Sequence, residues 1–293
     1  MTALTRESIH PATTVGSVFL SVADLGRSVA YYTDAVGMRL LAQNASTATL
    51  GVGEDRPLLQ LSEVPDARPW PRGGRSYTGL YHFAILLPTR ADLGMWARHW
   101  LSLGNPLGHA DHLVSEALYL EDPDGHGIEV YRDRPRGQWH WDEGRIRMGN
   151  APIDLSGLVR EAETGGQEFT GLPGGTRMGH VHLQVGDIEE AGQFYSQTLG
   201  FDVVAAMPTA LFVSAGGYHH HLGLNTWHSQ GAGPAPQNVA QLRRFAICLP
   251  DENGRSELLQ RLDRAGVPLS HQADGVELAD PWQNRILIRS ESG

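Results

Sequence analysis

The sequence predicts an α+β protein built from four βαβββ modules, whose mixed sheets pair into half-open cups. Three observations lead to this prediction. Segments of the first half recur in the second half, each repeated unit begins with a strand followed by a helix, and 35 glycines and 17 prolines supply many short turns. The repeats determine how many modules the chain contains.

Two pairs of similar segments reveal the repeats. Residues 18–38 and 181–201 share an apolar strand pattern, an Asp, an aromatic pair and a glycine, at an offset of 163 residues. Residues 81–88 and 243–250 share the sequence Phe-Ala-Ile and a Leu-Pro ending, at an offset of 162 residues. The chain therefore contains two halves of two modules each.

The two halves define two predicted domains. The N-terminal domain comprises residues 13–135 with modules 1 and 2, and the C-terminal domain comprises residues 176–291 with modules 3 and 4. Residues 136–175 between them are rich in glycine and are predicted to form a linker. Trp139 and Trp141 in this linker can pack against a domain.

The first module begins with a strand at residues 18–22, in which apolar residues alternate. Asp24 follows and can cap a helix, and the helix ends at Gly37, a residue type that commonly terminates helices. Three β-rich runs complete the βαβββ order, at residues 38–41, 47–52 and 58–61.

The second module repeats this order. Its predicted elements are a strand at 81–87, a helix at about 91–103, a strand around 117–120, an Asp-Pro-Asp-Gly turn at 122–125 and a strand at 127–131. The turn has a counterpart in module 4, where Asp280 stands 158 residues after Asp122. His126 follows the turn directly and is predicted to be exposed. Two paired modules are expected to form a cup whose floor receives side chains from the first and last strands.

The composition limits the class of ligand and the compartment. The formal net charge of −10 argues against nucleic acid or an anionic membrane as a partner, because both favour clustered Lys and Arg. The expected ligand is therefore a small molecule. No apolar stretch approaches the ~18 residues of a membrane span, and no secretory signal is recognisable, so a cytoplasmic location is expected. Cys248, the single cysteine, lies in an apolar run and is predicted to be a buried thiol.

A signature in module 2 carries the clearest resemblance to a known family. It closely matches the signature of ring-cleaving extradiol dioxygenases, with a mild departure at Ala110. The matching residues are His112, Leu118, Tyr119, Asp122, Pro123, Gly125 and Glu129. Over nearly its whole length the chain resembles the vicinal oxygen chelate superfamily, which includes glyoxalase I, the bleomycin and fosfomycin resistance proteins and the type I extradiol dioxygenases. Residues 78–87, 114–120 and 214–225 resemble more specifically its bacterial catechol-2,3-dioxygenase branch, which has tandem glyoxalase-like domains.

The resemblance implies a metal site. In this superfamily the first strand of each paired module provides one ligand position and the last strand provides a glutamate. Carried over to this chain, the first-strand positions are Ser17, His82, His180 and Arg244, and the last-strand positions are Glu129 and Leu287. Pairing within halves leaves both sets incomplete, whereas pairing module 2 with module 3 collects His82, Glu129 and His180. One metal per chain and a crossed pairing of modules are therefore expected.

The three predicted ligands suit Fe(II). Two neutral imidazoles and one carboxylate occupy one face of an octahedron, as in non-haem Fe(II) oxygenases, and leave adjacent positions for a bidentate catecholate and O₂. The resulting net charge of +1 suits an anionic substrate. Mn(II) accepts the same ligands and stays open as an alternative.

Three further residues are predicted to act on the substrate. The resemblance places His220 at the family's acid–base histidine, a role that suits the near-neutral pKa of imidazole. It places Tyr119 where a tyrosine hydrogen-bonds a substrate oxygen, and His112 at a substrate-binding histidine. His219 or His221 would replace His220 if the strand register were shifted. The alternatives are a solvent-facing hairpin for the histidine cluster and aromatic core packing for Tyr119.

The resulting prediction is an Fe(II)-dependent extradiol dioxygenase that cleaves catechol or a substituted catechol with O₂, in a homo-oligomer as expected for this family. One alternative is a glyoxalase-like metal-dependent isomerase or lyase. Glyoxalase I uses two Glu ligands, and the matching part of module 3, assigned to His219–His221, offers no carboxylate. The other alternative is a small-molecule binding protein of the resistance type, which needs no complete ligand set.

Overall fold

A computed structural model describes residues 7–71, 73–74, 76–163 and 168–291 of the protein, and the predicted βαβββ order holds in all four modules. Module 1 consists of β1 (Thr14–Val22), α1 (Leu25–Ala30), β2 (Arg39–Gln43), β3 (Thr47–Val52) and β4 (Arg56–Glu63). Module 2 consists of β5 (Gly79–Leu86), α2 (Arg90–Ser102), β6 (Gly108–Asp111), β7 (Ser115–Glu121) and β8 (Gly127–Asp133).

The predicted linker carries structure of its own. Its elements are a 3₁₀ turn (Arg136–Gln138), the short strands β9 (Trp141–Asp142) and β10 (Arg145–Ile146), and α3 (Leu155–Glu163). Helix α3 packs closely on α2, because a Cβ added to Gly94 would lie 2.2 Å from the carbonyl oxygen of Leu158. Trp139 is buried, whereas Trp141 is exposed. Helix α3 of the predicted linker thus forms an additional layer that packs on helix α2 of module 2.

The second half repeats the architecture of the first. Module 3 consists of β11 (Arg177–Gln184), α4 (Ile188–Ala191), β12 (Asp202–Met207), β13 (Ala210–Ser214) and β14 (Leu222–Asn225). Module 4 consists of β15 (Leu242–Leu249), α5 (Glu252–Arg264), β16 (Ser270–Gln272), β17 (Gly275–Ala279) and β18 (Arg285–Ser290). Helices α1 and α4 are short because each continues as a π-helical turn, at Tyr31–Ala35 and Gly192–Thr198.

The residues predicted to begin and end the first helix do so. Asp24 accepts a hydrogen bond from a first-turn N–H at 2.8 Å, and the equivalent Asp187 does the same at 2.9 Å. Each carboxylate satisfies one of the N–H groups that a helix leaves unpaired at its start. Gly37 and Gly200 follow the π-helical turns with φ angles of 88° and 89°, a left-handed conformation that glycine adopts without strain.

The strands form two eight-stranded mixed sheets, and each sheet combines modules from both halves of the chain. The first sheet has the order β16-β17-β18-β15-β1-β4-β3-β2, and the second has the order β12-β13-β14-β11-β5-β8-β7-β6. Within a module, the first strand pairs in parallel with the last. The first strands of two modules meet antiparallel, β1 with β15 and β5 with β11. The predicted pairing of module 2 with module 3 is therefore confirmed.

Modules of the same half are joined by a hydrogen bond between a helix and a turn. Tyr32, after α1, donates to Oδ2 of Asp122 in the turn of module 2 at 2.8 Å. Tyr195, after α4, donates to Oδ2 of Asp280 in the turn of module 4 at 2.9 Å. Both bonds are buried, so each half is locked internally although its modules lie in different sheets.

The residue after each turn differs, and the pKa of the turn carboxyl shifts in opposite directions in the two modules. The prediction that His126 is exposed is wrong: the ring is buried, with Nδ1 2.8 Å from Oδ2 of Asp122. Burial raises the pKa of Asp122, but the charge and hydrogen bonds of His126 outweigh burial and lower it. Asn284 replaces the histidine beside Asp280, donating at 2.8 Å, and there burial raises the pKa of the carboxyl.

One apolar core runs through both sheets. Tyr32, Phe83, Tyr195 and Phe245 come from the four modules in turn, and all are fully buried in this core. The two halves therefore share their hydrophobic interior. In the part of the chain that the structure describes, no helix has the length and apolar character to cross a membrane.

Candidate metal centre

The three residues predicted as ligands meet in the second sheet. His82 on β5, Glu129 on β8 and His180 on β11 each offer a ligand atom, and these atoms lie within 4.8 Å of one another. Nε2 of His82 is 3.1 Å, and Nε2 of His180 is 3.2 Å, from Oε2 of Glu129. All three side chains are buried. We call this group the His-Glu-His triad.

Strand register explains why these side chains converge. β5 lies between β8 and β11, so three neighbouring strands provide one group each. Ala84 stands opposite Glu129 on one side and opposite His180 on the other, so all three face the same way. His82 stands two residues before Ala84 and shares its face. The small Ala84 side chain thus lies in the middle of the triad without filling it.

The charges of the triad suit a cation. Burial raises the pKa of Glu129, but the neighbouring His180 and His82 outweigh burial and hold the pKa well below its usual range. Burial lowers the pKa of His82 despite the opposing effect of Glu129. Nε2 of His82 is buried and lies 3.1 Å from Oε2 of Glu129, but the angles do not make this a hydrogen bond, and no other described residue pairs with the nitrogen. Buried polar atoms are normally paired. A divalent cation would satisfy that nitrogen, so the residues present fit a metal ion.

His82 and Glu129 of the triad line a cavity of about 1180 Å³, together with His112 and Tyr119. Nδ1 of His112 lies 2.8 Å from the carbonyl oxygen of Gly149, which can only accept, so Nδ1 carries the hydrogen. In the neutral ring Nε2 then accepts from the Tyr119 hydroxyl at 2.7 Å. Burial, followed by the charge of Glu129, raises the pKa of Tyr119 well above its usual value, which keeps the hydroxyl protonated.

His220 lines the same cavity, and its ring centroid lies 4.1 Å from that of His180. His219 and His221 are not among the described residues that line it. All three precede β14, so they lie in a loop, and the expected strand alternation does not determine their directions. His221 instead accepts a hydrogen bond from the N–H of Ala215 at 3.1 Å, and burial lowers its pKa to about 3.

A row of hydrogen bonds links His220 to a carboxylate. Nε2 of His219 lies 2.8 Å from Oδ1 of Asp133, and Nδ1 of His219 lies 2.8 Å from Nδ1 of His220. Because a carboxylate only accepts, Nε2 of His219 donates to it, and in the neutral ring Nδ1 accepts from His220. Nε2 of a neutral His220 is then unprotonated and able to take up a proton. The sequence analysis did not find Asp133, which stands 86 residues from His219.

His182 is a cavity residue that the sequence analysis missed. It stands two residues after His180 on β11, and its ring packs edge-on against His82 at 5.0 Å. Its Nε2 accepts a hydrogen bond from Nδ2 of Asn225 at 3.0 Å. The available signal was the spacing, because residues two apart on a strand share a face.

Module 3 offers a glycine where module 2 offers Glu129. Gly223 on β14 stands opposite His182 on β11, as Glu129 stands opposite Ala84 on β5. A Cβ at Gly223 would lie 2.8 Å from the His182 ring, so no larger side chain fits there without movement. The expectation that this position carries no carboxylate is confirmed, but the position was wrongly assigned to His219–His221.

The equivalent region of the first sheet is filled by other side chains. Arg244 occupies the first-strand position of module 4, and its guanidinium carbon lies 4.2 Å from the ring centroid of Phe19. Arg244 also donates to Asp274 at 2.7 Å. Phe19 packs with Cys248 and Leu287 in a small apolar cluster, which confirms the predicted burial of the thiol. A fixed positive charge over apolar groups disfavours a bound cation.

The chain belongs to the glyoxalase/bleomycin resistance protein/dioxygenase superfamily. The model of that family matches residues 14–130 and 177–286, which together make up most of the chain. The matched ranges include residues of all four modules, and the triad residues lie within them.

Individual relatives agree with this assignment. The catechol-2,3-dioxygenase of Bacillus subtilis (strain 168) is 44% identical over 277 residues, which cover 94% of this chain and 96% of the relative. A solved structure from Bacillus subtilis, assigned as a dioxygenase, superposes on this chain with a TM-score of 0.65 at 12% identity. The superposition covers 98% of this chain and 87% of the other. A glyoxalase I variant from Zea mays superposes with a TM-score of 0.55 at 18% identity. This superposition covers 96% of this chain and 95% of the glyoxalase. These two structures share the fold with this chain.

Proposed function

We propose that the protein is an Fe(II)-dependent extradiol dioxygenase that opens the ring of catechol or a substituted catechol with O₂. The observation that carries the proposal is the convergence of His82, Glu129 and His180, two of which line a cavity together with the predicted substrate-contacting residues. The 44% identical relative named catechol-2,3-dioxygenase supports the same reaction. In this reaction both atoms of O₂ enter the product, and the ring bond beside the two hydroxyl-bearing carbons breaks to give a semialdehyde.

The metal proposed for the triad is Fe(II). Two imidazole nitrogens and one carboxylate oxygen are the donor set of facial Fe(II) sites, and Mn(II) accepts the same donors. When bound, the metal would supply a redox-active Lewis acid for the reaction of the catecholate with O₂. One carboxylate against a divalent ion leaves a positive charge that favours an anionic substrate.

Tyr119 and His112 orient one substrate oxygen. The Tyr119 hydroxyl donates its hydrogen to His112, so its oxygen is left to accept a hydrogen bond from a substrate hydroxyl. A proton leaving that hydroxyl can pass to Tyr119 while the tyrosine proton passes to His112. The pair therefore both positions the substrate and helps to remove a proton from it.

His220 accepts and donates a proton on the module 3 side of the cavity. Its Nε2 is left as an acceptor by the hydrogen bonds through His219 to Asp133. It can take a proton from the second hydroxyl and return it during ring opening, the general acid–base role for which imidazole is suited.

The dioxygenase is favoured over a glyoxalase-like isomerase by the donor set. Glyoxalase I uses a Glu from each paired module, and module 3 has Gly223 at that position. A complete triad also distinguishes this chain from proteins that only sequester a small molecule. The three functions therefore predict different behaviour toward oxygen.

The deciding experiment measures oxygen uptake by protein that has been reconstituted with Fe(II) under anaerobic conditions. We expect about one O₂ to be consumed per catechol when air is admitted, with a yellow ring-opened product. An isomerase would consume no O₂ and would act on a hemithioacetal, and a binding protein would hold catechol without turnover. Absence of oxygen uptake across a panel of substituted catechols, with iron bound, would rule out the dioxygenase.

A further inference from the structure

The cavity beside the triad is much larger than catechol. Its volume is about 1180 Å³, whereas cavities of roughly 300–1,000 Å³ enclose drug-sized ligands. Catechol is a single benzene ring with two hydroxyls, and its two oxygens must lie at the triad. The cavity therefore has space for a substituent on the far side of the ring.

An aromatic wall leads from the triad to the cavity mouth. The ring of Phe212 lies 5.2 Å from that of His220 and 5.6 Å from that of His182. The ring of Trp227 lies 5.5 Å from His182 and 5.3 Å from Tyr81. Phe212 and Trp227 thus pack against His182 and His220, which lie beside the triad, and both rings line the cavity. A substituent that extends from the substrate ring would lie along this wall.

Two large apolar side chains at the mouth are exposed. Met207 and Trp227 both line the cavity, yet 49% and 45% of their surfaces are accessible. The backbone N–H of Trp227 donates to Oδ1 of Asn225 at 3.1 Å, and its ring packs on Tyr81, so both the backbone and the ring have a fixed neighbour. Apolar surface that stays exposed beside a cavity is characteristic of a ligand-binding surface.

The charges of the cavity exclude an anionic substituent. Among the described residues that line it there is no Lys or Arg, while Glu121 and Glu129 both contribute to the lining. A carboxylate on the substrate would find no cationic partner there and would lie near the like charge of Glu121. Leaving a charge unpaired on binding is costly.

We propose that the substrate is a catechol carrying an uncharged, apolar substituent, which binds against Phe212, Met207 and Trp227. This inference rests on the proposed dioxygenase function for the position of the ring. It narrows the substrate class to alkyl- or aryl-catechols and excludes carboxylate-bearing catechols as the preferred substrates.

The test compares kcat/KM of the iron-loaded enzyme for catechol, 3- and 4-propylcatechol, and 3,4-dihydroxybenzoate. Burial of a propyl group contributes about 0.8 kcal/mol per carbon, so we expect the better propylcatechol to exceed catechol by about tenfold or more. The carboxylate analogue should fall below catechol. Equal or lower kcat/KM for both propylcatechols, or a preference for the carboxylate, would overturn the proposal.

Variants at the mouth test the location of the substituent. Trp227→Ala should reduce the ratio of kcat/KM for propylcatechol over catechol by about fivefold or more. Trp141→Ala, which removes an exposed tryptophan outside the cavity, should leave the ratio unchanged. Met207→Arg should shift the preference toward 3,4-dihydroxybenzoate, because it supplies a cation at the mouth. A ratio that is unaffected by both mouth variants would contradict the proposed location.

The substituent proposal and the dioxygenase proposal fail in different ways. If no catechol consumes O₂, the dioxygenase function is wrong, and the dissociation constants of the same compounds for the iron-loaded protein then test the apolar site. If propylcatechol binds more tightly than catechol, and Trp227→Ala removes this difference in affinity, the proposed apolar site would still be supported. If catechol is turned over but the propyl group does not raise kcat/KM, the proposal of the apolar site is wrong while the dioxygenase proposal is kept.

Discussion

The two histidines of the triad hold the pKa of Glu129 well below its usual range, and this effect follows from their positions on neighbouring strands. The convergence of His82, Glu129 and His180 could be predicted because the family resemblance assigns ligand positions to first and last strands, and the module repeats locate those strands in this chain. The partners of His220 could not be predicted. The loop before β14 and the 86-residue separation of His219 from Asp133 leave no local pattern. Their roles as metal ligands and proton carriers stay predictions, which the following variants test.

His180→Ala is expected to abolish metal binding. Removal of one of three protein ligands leaves a site with one imidazole and one carboxylate, so iron content should fall from about one per chain to near zero. The matched control is His182→Ala, which removes a buried cavity histidine two residues away that is outside the triad. Metal analysis after gel filtration measures both variants. Retention of iron by His180→Ala, or equal loss in both variants, would contradict the ligand assignment.

His220→Phe is expected to keep iron and lose turnover. Loss of a general acid–base group lowers kcat by roughly 10²–10⁴-fold, and phenylalanine preserves the ring contact with His180. Stopped-flow and steady-state rates with catechol measure the effect. His109→Phe, at an exposed position on β6, provides the control and should leave kcat unchanged. An unchanged kcat in His220→Phe would transfer the proton role to another group.

Asp133→Asn is expected to lower kcat by about tenfold or more while iron content and KM change little. Asp133 is a positioning residue: its carboxylate requires a donor at Nε2 of His219, and an amide can present its NH₂ group instead and invert the row of hydrogen bonds. Asp133→Glu keeps an acceptor and should restore part of the rate. A similar loss in the Glu variant, or a loss that appears in KM alone, would indicate a structural role.

Among the elements, the strands and helices of the repeated modules could be predicted, whereas the structure of the segment that joins the two halves and the contacts between modules could not. The strands and helices of modules 1 and 2 lie within a few residues of their predicted places, because alternation, Asp caps and terminating glycines are local signals. The exception is β6, for which no strand was predicted. Helix α3 was not predicted either, since residues 136–175 read as a glycine-rich linker. The burial of His126 was missed because it depends on the contact between Asp122 and Tyr32, from another module.

His126→Asn is expected to convert the turn of module 2 into a copy of the turn of module 4. The folded-state pKa of Asp122 lies below 3.8, so its ionised form stabilises the fold fully above about pH 3.8 and loses that effect as pH falls through the folded-state pKa. Without His126 this pKa should rise, as it does for Asp280 beside Asn284.

The variant should therefore lose about 1–3 kcal/mol of unfolding free energy at pH 7, and the difference from wild type should narrow below about pH 4. Urea unfolding of the metal-free proteins at pH 7 and pH 3.5 measures the difference. The exposed His109→Asn serves as control and should show no such dependence. A difference that is constant or widens toward low pH would contradict the assigned role of His126.

The whole molecule depends on crossed pairing. Both sheets contain modules from either side of the predicted linker, and the core draws on all four modules. The crossing could be predicted because it alone completes a ligand set, whereas the cavity's size and apolar wall depend on side chains from loops and strand ends. The domain boundaries at residues 135 and 176 stay a prediction.

Fragments of the chain should fold together and not alone. Division between Gly174 and Gly175, both exposed, separates His82 and Glu129 from His180. Each fragment then lacks the partner strands of two antiparallel pairs, β1 with β15 and β5 with β11. We expect poor protection from proteolysis for each fragment, and recovery of one iron per pair on mixing. Stable monomeric folding of either fragment alone would contradict this dependence.

The filled first sheet has a consequence for how the chain responds to mutation. Four similar modules could in principle have kept two reactive sites, but Arg244 and Phe19 occupy one of them. In the first sheet this position now contributes packing and offers no cation site among the described residues. We expect substitutions around Ser17, Arg244 and Leu287 to change mainly the stability of the fold, whereas substitutions around the triad should change stability and metal binding together. The same backbone frame thus carries two regions that should respond differently to mutation.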